Sequence, residues 1–139
     1  YGRQGVLTVS IHADPDFEYP HFSGFEEERG KGAGEGFNIN YPLPENTAGQ
    51  LYHRTLRKAL REIRKFDPDF LVLALGFDTA RGDPTGTWKL QKGDFHENGR
   101  LIGALGLPTL VVQEGGYNNR MIGVNARNFF TGLWEGMYW

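Results

Sequence analysis

The stretch Leu110-Val111-Val112-Gln113-Glu114-Gly115-Gly116-Tyr117 runs from a short apolar segment straight into a carboxylate, two glycines and a tyrosine. An apolar run of this length bounded by glycines reads as a buried strand rather than a helix. Two earlier runs end in the same way. Val6-Leu7-Thr8-Val9-Ser10-Ile11 leads into His12 and Asp14, and Phe70-Leu71-Val72-Leu73-Ala74-Leu75 leads into Gly76-Phe77-Asp78. Three strands thus deliver polar groups to one edge.

Between these strands the spacing predicts helices. Thr47-Ala48-Gly49-Gln50 has capping-box spacing, and Tyr52, Leu56, Ala59, Leu60 and Ile63 form the apolar stripe of the helix that follows. Its other face carries Arg54, Arg57, Lys58, Arg61, Arg64 and Lys65, either an anion patch or, as is commoner, a solvated face. Asp67-Pro68 stops it, and the Phe70–Leu75 run is apolar enough for a parallel strand covered on both faces. A second helix is expected from about Asp94 to Leu105, with Gly106 as its stop, and a third from about Met121 to Trp134. The stretch 13–43, broken by Pro15, Pro20, Gly24, Gly30, Gly32, Gly34, Gly36 and Pro42, is expected to be one long ordered loop, since it also carries Phe17, Tyr19, Phe22, Phe25 and Phe37. This alternation implies an α/β fold with a parallel sheet, whose ligands bind outside the carboxyl ends of the strands.

The bulk numbers exclude several classes. At 139 residues one core is expected. Fifteen basic against seventeen acidic side chains leave a net charge of −2, without the basic excess of a nucleic-acid binder. No apolar stretch is long enough to span a bilayer, and the first residues lack the apolar segment of a secretion signal, so a soluble, cytoplasmic protein is expected. With no cysteine, any metal must be held by His, Asp or Glu.

The candidate residues each have two readings. Asp78 at a strand end suits a zinc or manganese ion, or caps its turn; Asp83, five residues on, reads more readily as a turn cap. His12 and Asp14 could pair on a metal, although a histidine after a strand is more often hydrogen-bonded in place. Tyr117 after two glycines could hydrogen-bond a developing oxyanion, or pack on a turn. Tyr19 and Phe22 either wall an apolar channel or belong to the core. Gly30-Lys31-Gly32-Ala33-Gly34-Glu35-Gly36 is not a nucleotide loop, because no strand leads into it and no helix follows.

Taken together, Ser10-Ile11-His12-Ala13-Asp14-Pro15, Tyr19-Pro20-His21-Phe22-Ser23-Gly24, the glycine run with Asn38, Gly76-Phe77-Asp78 and Glu114-Gly115-Gly116-Tyr117 resemble the histone deacetylase superfamily, and within it the acetylpolyamine amidohydrolase branch. The resemblance implies a three-layer α/β/α fold of arginase/deacetylase type, incomplete in this chain. It implies zinc-dependent hydrolysis of the acetamide of acetylated polyamines or acetyl-lysine-like substrates. Asp78 then matches a zinc ligand and Tyr117 the oxyanion tyrosine. Gly115 and Gly116 shape the pocket floor, Tyr19 lines the substrate tunnel, and Ser10 with the Ile11 carbonyl matches part of a monovalent-cation site, usually potassium. His12 and Asp83 become supporting residues. A homodimer is a further implication of the branch.

Against the family pattern, the Asp-x-His zinc motif and the paired histidines are absent. Residues 1–139 therefore read as the C-terminal portion of a single deacetylase-type domain whose N-terminal portion is missing. Two alternatives stand beside this: a catalytically incomplete, assembly-dependent module, and an arginase-like manganese ureohydrolase.

Overall fold

The computed structural model describes all 139 residues. In chain order its elements are β1 (Thr8–Ala13), a short 3-10 turn (Gly32–Gly34), β2 (Asn38–Leu43), α1 (Gly49–Phe66), β3 (Leu71–Leu75), α2 (Lys92–Gly103), β4 (Thr109–Gln113) and α3 (Ile122–Tyr138). Instead of the one core expected from length, the chain forms two compact units, Tyr1–Glu45 and Asn46–Trp139. Each contains one pair of parallel strands, so the class is α/β.

In the first unit β1 pairs with β2, with Ser10 opposite Asn40 and His12 opposite Pro42. The expected loop 13–43 therefore ends earlier than its composition predicts. Asparagine and proline are poor strand formers, but here the two asparagines have a local reason. Ile39 and Leu43 are buried, the Asn40 amide donates to the Phe25 carbonyl at 3.0 Å, and the Asn38 amide donates to that of Glu28. Side-chain bonds to the preceding loop replace the propensity that these residues lack. The glycines of that loop do turn tightly: Gly30 has φ +94°, and a Cβ there would overlap the Gly34 carbonyl.

The second unit holds the three helices. α1 begins at Gly49 with Ala48, rather than the expected Thr47, as its N-cap. Its apolar stripe is as predicted, with Leu56, Ala59 and Leu60 buried. All six basic residues of the opposite face are exposed, which makes that face solvated. Asp67 ends the helix in the left-handed conformation at φ +54°.

A capping box is present on α2, where the Gln91 side chain accepts from the Asp94 amide and Asp94 Oδ2 accepts from the Gln91 amide at 2.8 Å. That pair starts α2 two residues before the expected position. α3 runs four residues beyond Trp134.

The contact between α2 and α3 is made by glycines. Gly99 and Gly103 on α2 and Gly132 and Gly136 on α3 each lie where a Cβ would overlap a carbonyl oxygen of the partner helix, those of Phe129, Leu133, His96 and Arg100 respectively. Four-residue spacing puts each glycine pair on one face, so the backbones approach directly. Phe95 and Phe129 are fully buried beside this contact, and the Phe77 and Phe95 rings stand 5.5 Å apart.

β3 pairs with β4, with Leu75 opposite Gln113. The expectation that this strand is covered on both faces is not met within the chain. Leu71, Leu73 and Leu75 are half-buried, whereas Phe70, Val72, Leu110 and Val112 are exposed, Val72 by 63%. Side chains alternate between the faces of a strand, and only one row has cover here.

Candidate active-site loops at the ends of two parallel strands

Because β3 and β4 run parallel and in register, the segments leaving their carboxyl ends lie side by side. The pairing continues beyond the strands: the Glu114 amide donates to the Leu75 carbonyl at 2.9 Å, and the Phe77 amide to the Gly115 carbonyl at 2.8 Å. Asp78 and Gly115 are thereby brought together. A Cβ at residue 115 would overlap Asp78 Oδ2, a Cβ at Gly76 would stand 2.7 Å from its Oδ1, and a Cβ at Gly86 would overlap its carbonyl. Gly116, at φ +135°, passes so close to Phe77 that a Cβ would come within 2.8 Å of the Phe77 Cβ. Glycine at these positions makes room for one carboxylate and for the chain crossing it.

Burial pushes the Asp78 carboxyl above its ordinary pKa, and the Asp83 charge pushes it further. The amides of Asp78 itself and of Thr79 oppose both effects without cancelling them. Asp83 shifts the other way. Its burial also favours the protonated form, but hydrogen bonds from the Thr85 amide, the Tyr117 amide, the Thr85 hydroxyl and the Asn118 amide outweigh it and hold the carboxyl below its usual value. Asp83 Oδ1 accepts from the Thr85 amide at 3.0 Å and its hydroxyl at 2.9 Å, while Oδ2 accepts from the amides of Tyr117 at 2.7 Å and Asn118 at 3.1 Å. The turn-cap reading of Asp83 is therefore met through Thr85, with a second set of bonds beyond it. Tyr117 is fixed by its backbone, and the residue is 55% exposed.

In the first unit, Ser10 and His12 come together with Gly24. His12 Nε2 lies 2.7 Å from the Gly24 carbonyl, so that nitrogen carries the proton, and in the neutral ring Nδ1 accepts from the Ser10 hydroxyl at 2.7 Å. Both ring nitrogens are engaged, which leaves no lone pair for a metal pair with Asp14. Asp14 Oδ1 instead accepts from the Asp16 amide at 3.0 Å and closes a turn. Ile11 sits in β1 opposite Tyr41. Tyr19 and Phe22 are not core residues; Tyr19 is 81% exposed.

As a test for a divalent cation, the desolvated Asp78 carboxylate, pressed by a second negative charge, fits as one ligand. No group of three or more His, Asp or Glu side chains in the chain could hold a metal ion. A catalytic zinc takes three protein ligands and keeps one position open. The chain by itself does not make up such a set. Sequence reasoning missed Gly86, Asn118 and Gly24, whose part comes from loop crossings; the one available signal was turn punctuation such as Gly82-Asp83-Pro84-Thr85-Gly86.

The sequence also matches a known domain, the histone deacetylase domain, over residues 1–133. The chain belongs to the histone deacetylase family. Among curated members it is 48% identical over 133 residues to an acetylpolyamine amidohydrolase of Burkholderia pseudomallei, which covers 96% of this chain and 39% of that protein. It is 44% identical over 138 residues to acetylpolyamine amidohydrolase 2 of Pseudomonas aeruginosa, covering 99% and 40%. The crystal structure of the Burkholderia pseudomallei acetylpolyamine aminohydrolase superposes with a TM-score of 0.95 at 47% identity, over 98% of this chain and 40% of that one. The HDA15 HD domain superposes with a TM-score of 0.84 at 30% identity, over 96% and 39%. The chain spans about two fifths of the length of the curated relatives it matches.

Proposed function

We propose that this chain forms the part of a zinc-dependent deacetylase site that holds the substrate carbonyl, in an enzyme hydrolysing the acetamide of acetylated polyamines or acetyl-lysine-like amides. The observation that carries the reading is the approach of the two strand ends: the Asp78 carboxylate lies against Gly115, and Tyr117 follows two residues further on with its backbone held by Asp83. Similarity to two named acetylpolyamine amidohydrolases favours a small acetylated amine as substrate and the deacetylase over the manganese ureohydrolase alternative.

In this reading Asp78 is one of the zinc ligands, and the remaining ligands and the paired histidines lie outside these 139 residues. Bound zinc would supply Lewis acidity and an activated water. The chain's own residues do the rest. Tyr117 donates its phenolic hydrogen to the oxygen that becomes negative as the carbonyl is attacked, an interaction stronger in the transition state than in the ground state. Gly115 and Gly116 keep the floor open, because a side chain at either position would displace Asp78 or Phe77. Tyr19, exposed on its loop, offers an apolar wall to an alkyl-ammonium stem. Ser10 and the Ile11 carbonyl contribute to a potassium site, with His12 holding Ser10.

The experiment is a chimera in which this chain replaces the matching two fifths of the Burkholderia pseudomallei acetylpolyamine amidohydrolase. The chimera should deacetylate an N-acetylated diamine, and Tyr117→Phe should lower kcat by roughly 100-fold or more while zinc stays bound, the usual scale for loss of one oxyanion donor. Unchanged kcat in that variant would remove the oxyanion role.

A second reading has its own observation. With no three-ligand cluster in the chain, the 139 residues by themselves form a catalytically incomplete, assembly-dependent module. Deacetylase activity of the isolated chain, abolished by a chelator and restored by zinc, would refute it.

A further inference from the structure

The Asp83 carboxylate does more than close its own turn. Oδ1 is satisfied locally by Thr85, whereas Oδ2 reaches 34 and 35 residues along the chain to accept the amides of Tyr117 and Asn118. The Asn118 side-chain amide returns the contact by donating to the Gly82 carbonyl at 3.2 Å. Asp83 is buried, so water does not stand in for these bonds. Gly115 and Gly116, which lead into Tyr117, have no side chains with which to hold the tyrosine in place, and Gly116 lies in the left-handed region that favours glycine.

We propose that Asp83 is a positioning residue for Tyr117: its Oδ2 fixes the backbone from which the phenol projects, and so sets where the hydroxyl meets the substrate carbonyl. The proposal rests on the reading of Tyr117 as oxyanion donor and adds to it the group that aims it. An aspartate is needed because the carboxylate accepts on both oxygens at once. An asparagine has one acceptor oxygen and would turn its NH2 toward either Thr85 or the two amides, losing one set of bonds.

The test uses Asp83→Asn in the chimera. Misplacement of a reacting group by about 1 Å costs on the order of 100-fold, so kcat should fall roughly 10- to 100-fold, with KM changed less than about threefold. The double variant Asp83→Asn/Tyr117→Phe should be little slower than Tyr117→Phe alone, because both changes act through one hydroxyl. A kcat within about twofold of the parent chimera, or losses that simply multiply, would overturn the proposal.

Amide hydrogen exchange supplies a readout independent of turnover. In the unsubstituted protein the Tyr117 and Asn118 amides should be protected although they lie in a loop, and Asp83→Asn should speed their exchange while the Phe129 amide in α3 is unchanged. Unprotected Tyr117 and Asn118 amides in the unsubstituted protein would overturn the brace whether or not any variant folds. If Tyr117→Phe leaves turnover intact, the oxyanion reading falls, and the exchange data still decide whether Asp83 holds the loop.

Discussion

At the scale of single residues, the site depends on side chains that are missing. Gly115 faces the Asp78 carboxylate so closely that Gly115→Ala must move one or the other. The expected outcome in the chimera is weaker zinc binding and at least a tenfold loss of kcat/KM, checked by zinc titration and steady-state kinetics; unchanged values would show that the cradle is not needed. Glu97 gives a prediction of a different kind. Hydrogen bonds from Arg100 lower its pKa, desolvation opposes them, and the charges of Arg100, Arg57 and His53 add to the lowering. A depressed folded-state pKa gives stability that is present above the unfolded value and is lost as pH falls through the folded one. The loss should therefore develop as pH falls below the ordinary glutamate range. Since Arg57 and Arg100 are about half exposed, it should stay below about 1 kcal/mol. Thermal unfolding of the chain and of Glu97→Gln as pH falls below that range should show the acid slope reduced in the variant; equal slopes would remove the contribution.

At the scale of elements, most of the order was legible and the exceptions have physical causes. β3, β4 and the three helices follow from apolar runs and a helical stripe, whereas β1 lies two residues later than the run Val6–Ile11 and takes in His12 and Ala13, where it pairs with Pro42 and Leu43 of β2. β2 did not follow from such a run, because Asn38, Asn40 and Pro42 argue against a strand, and it forms through pairing with β1, burial of Ile39 and Leu43, and the bonds from the two asparagines to the carbonyls of Glu28 and Phe25. The N-cap of α1 falls on Ala48, one residue beyond Thr47, and the capping box seen on α2 joins Gln91 with Asp94; a spacing rule reads the pattern without fixing where the chain enters the helix. In the site, Asp78, Asp83 and Tyr117 were visible because strand ends present polar groups. Gly86 and Asn118 were hidden because their role arises where loops distant in sequence cross. The glycine faces of α2 and α3 were also in plain view, as Gly99/Gly103 and Gly132/Gly136, and their meaning follows from the contact. Gly132→Ala should force the helices apart at His96 and lower stability by about 1–3 kcal/mol, the usual cost of overpacking. Denaturant unfolding checks this, and a variant as stable as the parent would contradict the backbone-to-backbone packing.

At the scale of the molecule, the same residues account for what the chain has and for what it lacks. The second parallel pair carries polar groups on the segments leaving its strands, yet one row of side chains on it, Phe70, Val72, Leu110 and Val112, remains open to solvent. Parallel strands are normally covered on both faces, and the chain spans about two fifths of the relatives it matches. The proposed metal centre has the same form: Asp78 is its one proposed ligand here, and no group of three metal-binding side chains forms within these residues. The most direct measurement is the zinc content of the dialysed chimera and of its Asp78→Asn variant by elemental mass spectrometry. The account predicts about one zinc per chain in the chimera and a large loss in the variant, since a catalytic zinc deprived of one of three protein ligands is held far more weakly. Equal zinc in the two proteins would contradict the claim that Asp78 brings this chain into the metal centre.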